Sequence, residues 1–130
     1  MIVVDASAVV EVLLRSRAGK LIEDRLFEQG QTLHAPHLLD IEVTQAIRRY
    51  ALSGQIGEER GRTGLDVLAN LPLNRYPHVF LLPRIWRLRN NLTAYDAVYV
   101  ALAEMLAAPL ITCDRRLAGA AGHRARIELV

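Results

Sequence analysis

Cysteine and lysine each occur once in this chain, as Cys113 and Lys20, and aromatic residues make up only 5% of it. A single cysteine excludes an internal disulfide and a cysteine-rich zinc site, and it suits a reducing compartment such as the cytosol. The histidines, His34, His37, His78 and His123, form no pair at helical metal-binding spacing. No G-x-x-x-x-G-K-[ST] loop is present to cradle a nucleotide phosphate, and no G-x-S-x-G elbow presents a serine. No stretch approaches the ~18 uncharged apolar residues of a membrane span. The apolar start is interrupted by Asp5 and Glu11 and has no basic residues before it, so it is not expected to serve as a secretory signal. These absences lead to the expectation of a cytoplasmic protein with no membrane partner.

What is present is a core. The 130 residues are expected to form one domain, 1–130, and 52% of them are hydrophobic. A chain of this length buries roughly two-thirds of the surface that its unfolded form exposes. The net charge of +2 is carried by fifteen arginines and one lysine. Arginine's planar fork suits phosphate and carboxylate, although GC-rich coding gives the same bias.

Hydrophobic periodicity divides the chain into alternating strands and helices. Residues 1–4 form a β-branched apolar run, as in a central strand covered on both faces. Helical spacing follows over 6–15 and 18–29, closed by Gly30. A second strand is expected at 32–35, then a helix from Pro36 to Ala51 or Leu52. A weaker helix spans 58–70, with Gly57, Gly61 and Gly64 in or beside it. Those glycines fit either a loose segment or a small-residue face that admits a partner helix. Residues 71–76, with Pro72 near their start and Pro77 just after them, suit an edge strand. Residues 79–90 allow a helix only if Pro83 lies in its first turn. The most apolar helix is expected at 94–107, with strands at 109–113 and 126–130. Such alternation predicts an α/β layered fold with a mainly parallel sheet.

In such sheets ligands bind beyond the carboxyl ends of the strands. Asp5, Asp96 and Asp114 each stand where an apolar run gives way to a helix start, and Glu42 lies on the apolar side of its helix. Each has an ordinary reading: Asp5 and Asp114 as helix caps, Asp96 as part of a Thr93 capping box, Glu42 as a solvated charge. Glu42, however, falls between Leu38 and Ala46, which turns it inward, and Asp40 is the better surface acid. Asp96 begins a helix that is apolar all round, where a lone carboxylate costs several kcal/mol unless paired with an arginine or a metal. Gathered carboxylates repel by about 4 kcal/mol per pair at roughly 4 Å and an effective dielectric of ~20. Oxygen-only donors point to Mg²⁺ or Mn²⁺ rather than zinc. A site of that kind suits phosphodiester hydrolysis. Arg84, Arg87 and Arg89, interleaved with Trp86, and the pair Arg115-Arg116 are candidate contacts for a polyanion. The alternative is a solvated helix face with Trp86 in the core.

The residues that carry this pattern resemble a known family. Ile2-Val3-Val4-Asp5-Ala6-Ser7-Ala8, Leu39-Asp40-Ile41-Glu42-Val43, Leu92-Thr93-Ala94-Tyr95-Asp96-Ala97 and Leu110-Ile111-Thr112-Cys113-Asp114-Arg115-Arg116-Leu117 are similar, in order, to the motifs of PIN-domain ribonucleases, specifically the VapC toxins of bacterial toxin–antitoxin pairs. The resemblance implies a three-layer α/β/α sandwich with sheet order 3-2-1-4-5 and Mg²⁺- or Mn²⁺-dependent endoribonuclease activity. It implies that Asp5, Glu42, Asp96 and Asp114 form a catalytic, metal-holding pocket, with the Ser7 and Thr112 hydroxyls orienting carboxylate or water. It also implies an RNA substrate, a cognate antitoxin whose tail enters the pocket, and a homodimer. A receiver domain would need two adjacent acids after the first strand and a late lysine; here Asp5 stands alone and Lys20 is early. Two other readings keep the fold: an idle nucleic-acid- or antitoxin-binding scaffold, and a structure-specific DNA nuclease.

Overall fold

The computed structural model describes residues 1–130. Strand β1 (Ile2–Val4) is fully buried, as its β-branched composition demands, and forms the centre of a five-stranded sheet. The other strands are β2 (Leu33–Pro36), β3 (Leu73–Tyr76), β4 (Leu110–Thr112) and β5 (Ile127–Leu129). All neighbours are parallel, in the order β3-β2-β1-β4-β5. Val3 pairs with His34 on one side and Leu110 on the other, so the register is locked from both flanks.

Helices α1 (Ala6–Leu13) and α2 (Arg17–Leu26) link β1 to β2, and α3 (Leu38–Leu52) and α4 (Glu58–Asn70) link β2 to β3. A 3₁₀ turn (Val79–Leu81), α5 (Leu82–Arg87) and α6 (Ala94–Leu106) lead to β4, and α7 (Arg115–Ala118) leads to β5. The crossovers run one way from β1 to β3 and the opposite way from β3 to β5. Right-handed connections therefore place α1–α4 on one face and α5–α7 on the other. The reversal falls between β1 and β4, and the crevice at their carboxyl ends is where the site forms.

Three sequence expectations change. Pro36 does not start the third helix; it ends β2, paired with Tyr76, and α3 begins at Leu38. Its missing N–H is harmless there, because the pairing of β2 with β1 extends only to His34. Residues 79–90 split into the 3₁₀ turn and the short α5, with Pro83 in its first turn. The small-residue face of α4 is neither loose nor free for another molecule. Gly61 and Gly64 are buried against Ile47 of α3, and a Cβ on Gly61 would lie 3.2 Å from that side chain.

The core is one cluster in which Ala97–Ala103 of α6 are buried on every side, as their all-round apolarity requires. β3 lies at the sheet edge between its two prolines. No helix is long and apolar enough to cross a membrane.

Candidate active site

Asp5 follows the last residue of β1 and caps α1, its Oδ1 accepting the Ala8 N–H at 3.2 Å. The same oxygen accepts the Ser7 hydroxyl at 2.7 Å, and Oδ2 accepts the Thr112 hydroxyl at 2.7 Å. Ser7 Oγ in turn accepts the Cys113 N–H at 2.9 Å, and Thr112 Oγ1 accepts the Asp114 N–H at 2.9 Å. The two hydroxyls therefore tie the ends of β1 and β4 together across the switch point. Asp5 is only 6% exposed. Burial raises its pKa, three hydrogen bonds pull it back, and the charge of Asp114 raises it further.

Glu42 points inward from α3, as its apolar neighbours suggested, and its Oε1 accepts the Tyr99 hydroxyl at 2.6 Å. Burial raises its pKa; the Tyr99 bond opposes this, and the charges of Asp96 and Asp5 add to it. Burial, and then the bond to Glu42, push the Tyr99 phenol far up, so it remains a donor. Tyr99 belongs to the helix that the sequence marks as apolar all round, which hides its polar role. Its tyrosine hydroxyl three residues after Asp96 was the signal available.

Asp96 occupies the first turn of α6, where the Thr93 hydroxyl caps its backbone N–H at 3.2 Å. Asp114 caps α7 through the N–H groups of Arg116 and Leu117, at 2.8 and 3.3 Å. Both structural readings of these acids therefore hold, and both carboxylates also face the crevice. Arg116 bridges them, with Nη2 at 2.8 Å from Asp96 Oδ2 and 3.4 Å from Asp114 Oδ2. The arginine partner anticipated for Asp96 is thus present.

All four acids line one cavity of about 630 Å³, together with Arg116 and two charged residues that sequence reasoning passed over, Glu11 and Arg49. Glu11 lies one helical turn beyond Ser7 on α1, a spacing that could have revealed it; its carboxylate is held by the Ser16 hydroxyl. Among the five candidate arginines only Arg116 lines this cavity. Arg84 is engaged by Glu104 through two hydrogen bonds of 2.7 and 2.9 Å, which accounts for it as a tie between α5 and α6. Arg89 lies over the Trp86 ring at 4.6 Å from its centroid, and Trp86 is 67% exposed, so it is no part of the core.

The donor set fits a hard divalent cation. Every donor is a carboxylate oxygen, Glu42 Oε2 has no protein donor, and the neighbouring negative charges add to the raised pKa values of Asp5 and Glu42. In this arrangement, with Arg116 between two of them, no three acids are drawn close enough to ligate one ion together.

A parallel sheet with acids gathered at its switch point defines an α/β protein built around an anionic crevice. A family model described as PIN domain matches residues 2–122, and the chain belongs to that family. Ribonuclease VapC1 of Mycobacterium tuberculosis is 49% identical to it over 129 residues, spanning 98% of this chain and 96% of its own. Two solved structures share the fold. VapBC2 from Rickettsia felis, bound to a DNA fragment from their promoter, matches with a TM-score of 0.70 at 13% identity, over 99% of this chain and 98% of its own. A toxin–antitoxin complex from Klebsiella pneumoniae matches with a TM-score of 0.64 at 20% identity, over 92% of each chain.

Proposed function

We propose that this chain is an endoribonuclease, the toxin of a toxin–antitoxin pair, which hydrolyses RNA phosphodiester bonds with the help of Mg²⁺ or Mn²⁺. The observation that carries this reading is the convergence of Asp5, Glu42, Asp96 and Asp114 on one cavity, in a chain 49% identical to a ribonuclease over nearly its whole length.

Asp5 and Asp96 would hold the cation, with Glu42 and Asp114 completing the anionic wall directly or through water. When bound, such a cation makes water a stronger acid and offsets charge that develops on phosphate. The chain's own residues supply the rest. Ser7 and Thr112 lock both oxygens of Asp5, so this carboxylate needs no rearrangement as charge builds. Tyr99 fixes one oxygen of Glu42 and leaves the other to accept a proton from water attacking in line with the leaving oxygen. Arg116, two-thirds exposed, can turn from the acids to a phosphate oxygen.

The same reading has the protein working in the cytosol as one domain, pairing with a second copy of itself and held inactive by a cognate antitoxin. Labelled RNA and DNA incubated with the protein, with Mg²⁺ or with EDTA, provide the test. RNA cleavage that requires Mg²⁺ and falls at least a hundredfold in Asp5→Asn and Asp96→Asn is the expected result. Cleavage of DNA alone, binding without cleavage, or full activity in both variants would each overturn it.

A further inference from the structure

The cavity reaches well beyond the four acids. Glu42, Ala46, Arg49 and Tyr50 form one stripe along α3, Ser53 caps its end, and all five line it. At ~1.5 Å rise per residue, Arg49 stands about 10 Å along the helix from Glu42. Gly54, at φ +78°, then turns the chain so that Gln55 also meets the cavity. Only glycine enters that left-handed region without strain. Gln55 Nε2 donates to Ser53 Oγ at 3.0 Å, leaving its amide oxygen free of a protein donor.

The cavity's two arginines differ in their surroundings. Arg116 is tied to Asp96 and Asp114, whereas the Arg49 guanidinium has no carboxylate or carbonyl partner. The same wall thus carries an unpaired bidentate donor, the Tyr50 ring and two neutral polar side chains. Phosphate recognition by a planar fork, with stacking and polar contacts to an unpaired base, is the chemistry of single-stranded RNA binding.

We propose that the wall of the cavity formed by Arg49, Tyr50, Ser53 and Gln55 is a subsite for the nucleotide beside the scissile phosphate, with Arg49 holding that neighbour's phosphate. The inference rests on the ribonuclease reading and adds a residue set that selects single-stranded substrate. Its distance from Glu42 assigns it to a flanking nucleotide and not to the bond being cut. Arg48, adjacent on α3 and exposed but outside the cavity, carries the same charge and provides the control.

The test measures affinity for a mixed-sequence single-stranded RNA oligonucleotide by fluorescence anisotropy, in EDTA, across a range of salt. Arg49→Gln is expected to weaken binding on the order of tenfold and to lower the salt slope by about one. Arg48→Gln should change the affinity less than twofold. In cleavage assays with Mg²⁺, Arg49→Gln should raise KM more than it lowers kcat. Replacing the flanking phosphate with an uncharged methylphosphonate should cost the unmodified protein as much as the substitution does, without the two losses adding. Equal effects of Arg48→Gln and Arg49→Gln would reduce the wall to general charge and overturn the proposal. So would a loss confined to binding of a purified cognate antitoxin, which would assign the wall to a protein partner. Absence of any Mg²⁺-dependent RNA cleavage by the unmodified chain would instead overturn the ribonuclease reading itself.

Discussion

Glu104 shows how a residue can look like a flaw in the sequence and be a fastener in the fold. It is the one acid in the body of the most apolar helix, beyond the first turn that carries Asp96, and its side chain is only 7% exposed. Besides the two bonds from Arg84, it accepts the Arg124 N–H at 2.7 Å, so one carboxylate on α6 ties α5 to the approach to β5. The Arg84 hydrogen bond is the main cause holding its pKa below the ordinary 4.5, against the opposing effect of burial. A carboxyl depressed in the folded state contributes stability above its unfolded value and loses it as pH falls through the folded one. Glu104→Gln is therefore expected to destabilise the protein by about 1–3 kcal/mol at neutral pH. That deficit should shrink as the pH falls below the ordinary 4.5 and through the lowered folded value. Urea titrations at neutral and at acidic pH check this. Sequence reasoning offered Arg84 to a polyanion because its partner lies twenty residues away, a pairing that only the packing of α5 on α6 creates.

At the scale of elements, spacing was legible and partnership was not. The apolar runs located all five strands, and the prolines around β3 located the sheet edge, because each rests on local chemistry. The glycines of α4 were visible as a stripe, yet what faces the stripe depends on how α3 and α4 cross. The structure answers with Ile47 and, beside Gly64, Leu13 of α1. Gly61→Leu is accordingly a test of folding and not of assembly. It should destabilise the fold by about 2–3 kcal/mol through overpacking, read as a lower denaturant midpoint at any protein concentration. An unchanged midpoint with altered oligomeric state would instead place the contact outside the chain.

For the molecule as a whole, Asp5 and Asp114 could be read directly from strand ends, since parallel topology delivers such positions to one place, and Asp96 from the start of the most apolar helix. Glu11 and Tyr99 left only the weak signal of standing one turn from Ser7 and Asp96, and Arg49 left none, because all three reach the cavity from the flanks of helices whose rotation the sequence leaves open. The assembled cavity has a thermodynamic signature. Burial raises the pKa of Asp5, so its ionised form opposes folding at neutral pH. Asp5→Asn should then raise the melting temperature in EDTA by a few degrees, on the order of 1 kcal/mol. Mg²⁺ at a hundred times its Kd should stabilise the unmodified protein by about 2.7 kcal/mol, on the order of 8 °C, and the variant by far less. Calorimetric scans with and without Mg²⁺ measure both effects.

The guanidinium of Arg116, lodged between Asp96 and Asp114, means that the crevice already contains a monovalent tenant of its own. A divalent cation at that spot would trade places with it rather than fill a void, and the local charge would then change by one unit instead of two. The displaced arm would stay tethered to α7, within reach of an incoming anion.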